Sequence, residues 1–389
     1  MKKLIYFFIF LYILSLFFFT YRPEYSHLTI YISGILVSLS IVDILIFNTK
    51  IFKGKIYQYL LMFLIVVLIS SLISESPSLS FVYFKTIILN VSLTFIIYNL
   101  IEDSSDLYKI VKYYVFSGFL ASLYLVYSNL GNILSIRIGG TLGNENEIGM
   151  IIGVACILSL ALYEVHSKLI YLPMIIITFI TTILTGSRSA ILFLIVAAMI
   201  FHILKKERFI FKVSKIVIMV ILIIVTYYLF IFDTDLNIIL KDRFLSILYL
   251  FTDIDRIDFS TLTRFRMITY GLELFSNKPL FGFGVGNYRY MYNTNFGLFS
   301  YSHSNFIELL VGVGLVGTIV FYFMFIRNLS ILYRIGSKDR FVNAIFSINF
   351  ALLLISISVV FYYSKWFYIL LVLTFSIIRV SKISKKEIR

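Results

Sequence analysis

Residues 233–305 run DTDLNIILKDRF at 233–244, STLTRFRMITYGLELFSNKPLFGFGVGN at 260–287 and YSHSN at 301–305, and the chain on either side is almost uninterrupted apolar sequence. This is the one sizeable stretch with a polar character, so chemistry on polar molecules is expected here, under a lid at the edge of a membrane. Of the 389 residues, 60% are hydrophobic and 14% charged, against about 45–50% and about 25% in a soluble domain. Mean hydropathy is +0.97. These values exclude a soluble fold. The single cysteine, Cys156, lies in an apolar run and permits no internal disulfide.

Outward from that stretch, apolar runs decide the architecture. Hydrocarbon about 30 Å thick takes about 20 apolar residues per helix, and on that rule the chain holds about twelve spans. They fall at 4–20, 28–47, 56–73, 79–101, 107–128, 147–164, 169–185, 188–204, 213–232, 304–326, 341–362 and 365–380. Lys2 and Lys3 before an apolar run resemble a signal peptide, but no small-residue cleavage site follows in TYRPEYSH, so the run is kept as a first span. The continuous Leu, Ile and Phe runs suit helices, and no alternating pattern of barrel strands occurs. The expectation is an all-α integral membrane protein, one polytopic domain over 1–389, with a large extracytoplasmic loop at 233–303.

Lys and Arg near span ends are held on the cytoplasmic side. One set of connections carries Lys50, Lys53, Lys55, Lys109, Lys112, Lys168, Lys205, Lys206, Arg208, Lys212, Lys215, Arg327, Arg334, Lys338 and Arg340, and both termini are basic. The alternate set of short connections carries only Arg22, Arg137, Arg188 and Lys365. Both termini are therefore expected in the cytoplasm, with the large loop outside. The same asymmetry absorbs most of the formal +14 charge, which leaves nucleic-acid binding without support.

Four polar clusters fall on the outward side: RIGGTLGNENEIG (137–149), LTGSRSA (184–190), TRFRM (263–267) and YSHSN (301–305). They supply Arg137, Arg188, Arg264, Arg266 and His303. Arginine is always charged, and its planar fork of donors fits phosphate oxygens in pairs. The plainer reading of Arg188 is an interfacial side chain snorkelling to water, and of Arg264 and Arg266 a contact with lipid headgroups. Phe265, Ile268, Leu272 and Phe275 recur at helical spacing, which predicts a short amphipathic helix on the outer surface with Arg264 off its stripe. Gly282, Gly284 and Gly286 carry no phosphate-cradle fingerprint and read as backbone punctuation. An imidazole titrates within reach of neutral pH, so His303 is a candidate general base; the bland alternative is an interfacial histidine at a helix start. No pair of histidines or carboxylates has metal-ligand spacing, and a metal-free site without cofactor is expected. Lys85 alone could mark a pathway through the membrane, which is thin support for a transporter.

LTGSRSA at a hairpin, an arginine fifteen residues before PLFGFGVGN, and HSNFIELLVGVGLVG opening the next span together resemble the O-antigen ligase and polymerase family, of the Wzy type. GNENEIG also resembles that family's Gly-Asn-Pro-Asn segment, with Glu145 in the place of proline. The resemblance covers about residues 137–320 and implies an all-helical glycosyltransferase of the C type, inverting and independent of metal. Its implied donor is an undecaprenyl-diphosphate-linked oligosaccharide at the outer face of the cytoplasmic membrane. By position, His303 and Arg264 match the family's catalytic residues and Arg188 its hairpin arginine, with Arg266, Arg137, Asn146 and Asn305 as further substrate-binding candidates. A polymerase is the preferred activity, a ligase to a lipopolysaccharide core the alternative, and a precursor flippase the rival from another class. A chain-length regulator and a flippase are the candidate protein partners, beside the bilayer itself.

Overall fold

The computed structural model describes residues 1–389 except 48–50, 53, 132–136, 206–258, 337–338 and 388–389. The described residues form helices and turns, with no strand among them. In chain order the helices are α1 (Lys2–Phe18), α2 (Ser26–Phe47), α3 (Lys55–Leu72), α4 (Pro77–Leu100), α5 (Ser104–Ser128), α6 (Glu145–His166), α7 (Tyr171–Leu184), α8 (Arg188–Ile203), α9 (Phe259–Asn277), α10 (Tyr288–Phe296), α11 (Asn305–Gly336), α12 (Arg340–Ile355) and α13 (Lys365–Glu387). Among the described residues six stretches are long and apolar enough to cross a membrane: Ser26–Ile46, Lys55–Leu72, Pro77–Leu100, Ser104–Ser128, Glu145–His166 and Asn305–Gly336. Tyr171–Leu184, Arg188–Ile203 and Arg340–Ile355 are apolar but shorter. The span expected at 213–232 and the first part of the expected loop lie outside the described residues.

The helices gather into a bundle with two chemically distinct ends. α6 is the best enclosed of the six long apolar helices, packed by α5, α7, α8 and α12. At one end Lys2 pairs with Glu102 at 2.9 Å and with Asp106 at 3.3 Å, while Lys205 and Arg340 pair with Glu164 at 3.3 and 2.8 Å. The Tyr108 ring joins these groups, 5.1 Å from both the His166 and the Phe341 rings. The start of α1, the start of α5, the end of α6 and the start of α12 thus share one end, as alternating up-and-down helices require. The opposite end collects the start of α6, the α7–α8 turn, the start of α11 and the end of α12, and there the four polar clusters meet.

Two helices depart from the expected spans for identifiable reasons. The span expected at 341–362 stops at Ile355, because the chain beyond it bonds to Asn305 instead of continuing as helix. The Asn305 amide donates to the carbonyls of Ser356 and Val359 at 2.8 and 3.1 Å. Its side-chain oxygen accepts from the amides of Phe361 and Tyr362 at 3.0 and 2.9 Å. α11, in turn, is broken at Gly314, whose φ of 66° and ψ of −168° no helix contains. Buried backbone groups must find partners, and PLFGFG supplies them. Phe283 and Gly284 donate to the carbonyls of Val311 and Gly312 at 2.8 and 3.0 Å, while Leu315 and Val316 donate to those of Pro279 and Leu280 at 2.7 and 3.2 Å. The glycine-rich loop is therefore a plug in a broken helix, fixed from its other side by Asn287, which donates to Ser74, to Ser80 at 3.1 Å and to the Phe283 carbonyl at 2.7 Å.

Candidate active site

The plug sets the place of α9 and α10. Met267 and Leu274 of α9, Phe283 of the plug, Tyr288 and Tyr292 of α10, and Ile307 and Val311 of α11 form a small apolar core of their own. The Tyr288 hydroxyl donates to the Met267 carbonyl at 2.7 Å and that of Tyr270 to the Met291 carbonyl at 3.1 Å, locking α9 to α10. Gly271 lets α9 lie directly on α11, since a Cβ there would meet the Ile307 side chain at 2.2 Å. The buried face of α9 is thus Met267, Gly271 and Leu274, whereas Phe265 and Leu272 of the expected stripe are 67% and 48% exposed. Arg264 lies three positions before Met267 and so falls on the protein side, half-exposed. Arg266 is exposed, about 200° around the helix from it.

The YSHSN loop presents its histidine by backbone strain held in place. His303 has a φ of 57°, the left-handed region that non-glycine residues seldom enter. Ser302 brackets it: its hydroxyl donates to the Ser304 carbonyl at 3.0 Å and accepts from the Ser304 amide at 3.3 Å. Buried Glu308, one turn into α11, accepts from the Ser302 amide at 2.8 Å. The His303 ring lies 4.1 Å from that of Tyr301, centroid to centroid. Burial, then the charge of Arg264, then that of Arg289 push the imidazole down to about 4. His303 is therefore neutral throughout the physiological range, the form in which an imidazole accepts a proton.

Arg264 and His303, named from sequence, do come together. Arg289 in the first turn of α10 joins them, a residue outside the four polar clusters from which the candidates were drawn. The signal was the aromatic pair Tyr288 and Tyr292 at i, i+4, which marks a helix with Arg289 on its flank. Tyr301 faces the same charges, with its hydroxyl pushed up to about 12 chiefly by burial.

The other candidates are arranged around this centre. Arg188 begins α8, capped by the Ser187 side chain. Next to it the Ser189 hydroxyl lies 3.2 Å from that of Ser358. The 356–362 turn thus links the α8 start to Asn305 and the histidine loop. Asn305 has its side-chain oxygen on Phe361 and Tyr362 and donates from its side chain to Tyr322 at 3.3 Å, so it acts on the site by holding the loop. Arg137 donates to the Thr185 carbonyl at 2.9 Å and to the Asn146 side chain at 3.1 Å, with Glu145 3.9 Å away. Arg137 and Asn146 therefore tie the 137–147 segment to the α7–α8 turn. Beside it, half-buried Glu147 accepts from Tyr21 and Trp366 at 3.1 and 3.4 Å. Among the described residues no group of three or more His, Cys, Asp or Glu could hold a metal ion.

No curated protein matches the chain in sequence. The family model described as O-Antigen ligase matches residues 173–322, from α7 through the break in α11. That stretch contains the α7–α8 turn, Arg264, the plug, Arg289 and the histidine loop, and a glycosyltransferase-like membrane enzyme is what such a match implies. Over residues 173–322, less than half of its length, the chain is similar to the O-antigen ligase family.

Proposed function

We propose that this protein is a polysaccharide polymerase of the Wzy type, joining undecaprenyl-diphosphate-linked oligosaccharide repeats at the outer face of the cytoplasmic membrane. The observation that carries the reading is the meeting of Arg264 with a neutral, strained His303 at the end of an apolar bundle where the four polar clusters gather. A sugar hydroxyl of the acceptor attacks the anomeric carbon of the donor and gives its proton to His303. The carbon–oxygen bond to the diphosphate breaks with its electron pair on the departing lipid diphosphate, and the anomeric centre inverts. Arg264 and Arg188 stabilise the negative charge developing there; one lost donor of this kind costs roughly 10²–10³ in rate. The arriving diphosphate also offsets the arginine charge felt by His303 and makes the imidazole a stronger base when it is needed.

A ligase, transferring finished chains to a lipopolysaccharide core, is the second reading, favoured by the description of the matching family. Both activities use the same donor site. Polymerase is preferred because such enzymes serve capsule, exopolysaccharide and O-antigen assembly alike, whereas a ligase needs one kind of acceptor. Deleting the gene and resolving the surface glycan on a gel separates them. Single-repeat products support the polymerase, long chains left on the lipid carrier support the ligase, and an unchanged glycan overturns both.

A further inference from the structure

Glu147, in the first turn of α6, is held by three separate segments of the chain. Its Oε2 accepts from the Tyr21 hydroxyl at 3.1 Å and from the Trp366 indole N–H at 3.4 Å. Gly143, with a φ of 121°, lets the segment before α6 lie against Tyr21, whose carbonyl a Cβ there would run into, and Arg22 donates to the Thr141 carbonyl beside it. The carboxylate does not cap its own helix, because the Asn144 side chain already accepts from the Asn146 and Glu147 amides at 2.9 and 3.3 Å. With both donors on Oε2, Oε1 takes no hydrogen bond and no ion pair among the described residues, and it is not sealed from solvent. A carboxylate has about four acceptor positions, so one held by two neutral donors keeps capacity for a ligand. Its charge, after burial, is the next cause that pushes the Tyr301 hydroxyl up to about 12, and the Tyr301 ring lies 4.1 Å from that of His303. Arg289 rests over the Tyr301 and Tyr83 rings at 5.0 and 5.8 Å and donates from Nη2 to the Tyr363 hydroxyl at 3.2 Å. Tyr301 is thus shared by a cationic group, Arg264 and Arg289, and by one carboxylate with an open oxygen. The other carboxylate here, Glu308, is buried and accepts from the Ser302 amide. Tyr21, Glu147 and Trp366 all lie outside residues 173–322, where the family match carries no information about them.

We propose that Glu147, held by Tyr21 and Trp366, accepts hydrogen bonds from the acceptor sugar while another hydroxyl of that sugar faces His303, and so selects acceptors whose terminal sugar carries no acidic group. This rests on the proposed reading that a sugar hydroxyl is the attacking group. A carboxylate only accepts, so it needs a partner rich in O–H or N–H donors and repels a second carboxylate or a phosphate. The donor diphosphate is therefore kept to the arginines, and the place beside Glu147 is left to a neutral polyol. A cation would suit the carboxylate but would meet the charge of Arg289, which reaches the same group. Half-buried Tyr21, Tyr301 and Tyr363 supply aromatic surface for the C–H faces of a sugar ring, the usual pairing of aromatic walls with a few fixed polar groups. A glycerol headgroup has the same hydroxyl chemistry, but it brings its own phosphate next to the carboxylate.

Trp366 is the one tryptophan in the chain, and its indole N–H is bonded to this carboxylate, so its fluorescence reads the site directly. The full chain in phosphatidylcholine bicelles, which bring no sugar and no other tryptophan, is titrated with the methyl glycosides of glucose, galactose, N-acetylglucosamine and glucuronic acid. The wild type is expected to give a saturable change with at least one neutral glycoside and none with the glucuronide. Glu147→Gln, which exchanges a charged acceptor for a neutral one, should weaken the neutral glycoside about tenfold. It should also admit the glucuronide, a change of selectivity that loss of a merely structural contact would not produce. Glu24→Gln, at an exposed carboxylate between α1 and α2, should alter neither. If Glu147→Gln does not fold, Glu147→Asp keeps the charge but draws it back by one methylene, and it should weaken the neutral glycosides while still excluding the glucuronide. Unchanged affinity and selectivity in the folded Glu147 variants overturns the proposal, as does a wild type that responds to no neutral glycoside at about 0.1 M. If bicelles containing phosphatidylglycerol give the same change without sugar and block the glycosides, the site holds a lipid headgroup and the proposal is also overturned. The readout is independent of the glycan product. Glycoside binding through Glu147 with an unchanged glycan on gene deletion would sink the polymerase and ligase readings alone, while a shortened glycan on gene deletion with unaltered binding in Glu147→Gln would sink this proposal alone.

Discussion

His303 combines a strained backbone, a tyrosine ring and two arginine charges, and its pH behaviour follows from them. The protonated imidazole is the inactive form, so activity falls as pH drops through the pKa of His303. Burial, Arg264 and Arg289 all disfavour that form and hold it at about 4 in the unliganded protein. The acid limb of kcat/KM, which reports the free enzyme, is therefore expected near pH 4 to 5 rather than near 6.5. The limb of kcat should lie at higher pH, because the bound diphosphate offsets the arginines. Turnover of lipid-linked repeats measured across pH 3.5–9 checks both; a kcat/KM limb at the ordinary imidazole position would show that the arginines do not act on this ring. His303→Gln should lower turnover by about 10²–10⁴ while leaving membrane insertion intact. Arg264→Lys, which keeps charge but loses the fork, should also be seriously impaired, and full activity would leave Arg264 as a headgroup contact. At this scale sequence was informative where a side chain has few uses, as for Arg264 and His303. It was silent on Arg289, whose aromatic cage comes from Tyr83, Tyr301 and Tyr363, three different parts of the chain.

The broken α11 and its plug are the element on which the site hangs. Gly314→Ala would place a Cβ 2.3 Å from the Leu280 carbonyl oxygen at a φ of 66°. The backbone strain alone is of order 1–3 kcal/mol, and the plug would have to shift as well. Thermal unfolding in detergent should show a clear fall in Tm for Gly314→Ala and little change for Gly34→Ala, whose Cβ would meet nothing within 4 Å. Equal Tm values for the two would mean that the break is not held as described. Asn305→Ala should also destabilise, because it leaves the buried amides of Phe361 and Tyr362 without acceptors at about 1–3 kcal/mol each. From sequence 304–326 is one span, and the glycines in it are compatible with a plain helix. Only the approach of 279–284 to 311–316 gives the backbone at Gly314 somewhere else to bond.

The bundle as a whole predicts its own orientation. In a background lacking Cys156, Thr294→Cys on the exposed part of α10 should label with a membrane-impermeant thiol reagent in intact cells, and Lys168→Cys only after permeabilisation. The reverse pattern would place the site in the cytoplasm and end the proposal of an outer-face reaction. What the sequence determined by itself is the membrane class, the approximate place of most helices, the segregation of Lys and Arg and the order of the motifs, since these depend on local composition and hydrocarbon thickness. What only the tertiary structure decided is which faces of those helices meet protein. Lipid tails are as apolar as leucine, so the stripe of Phe265 and Leu272, read as lying on the membrane surface, gives no sign that the chain packs Met267, Gly271 and Leu274 against protein. Periodicity separates apolar from polar, but it cannot separate lipid from core, and for that reason the plug, the end of α12 at Ile355 and the cage around Arg289 emerge only once distant segments are brought into contact.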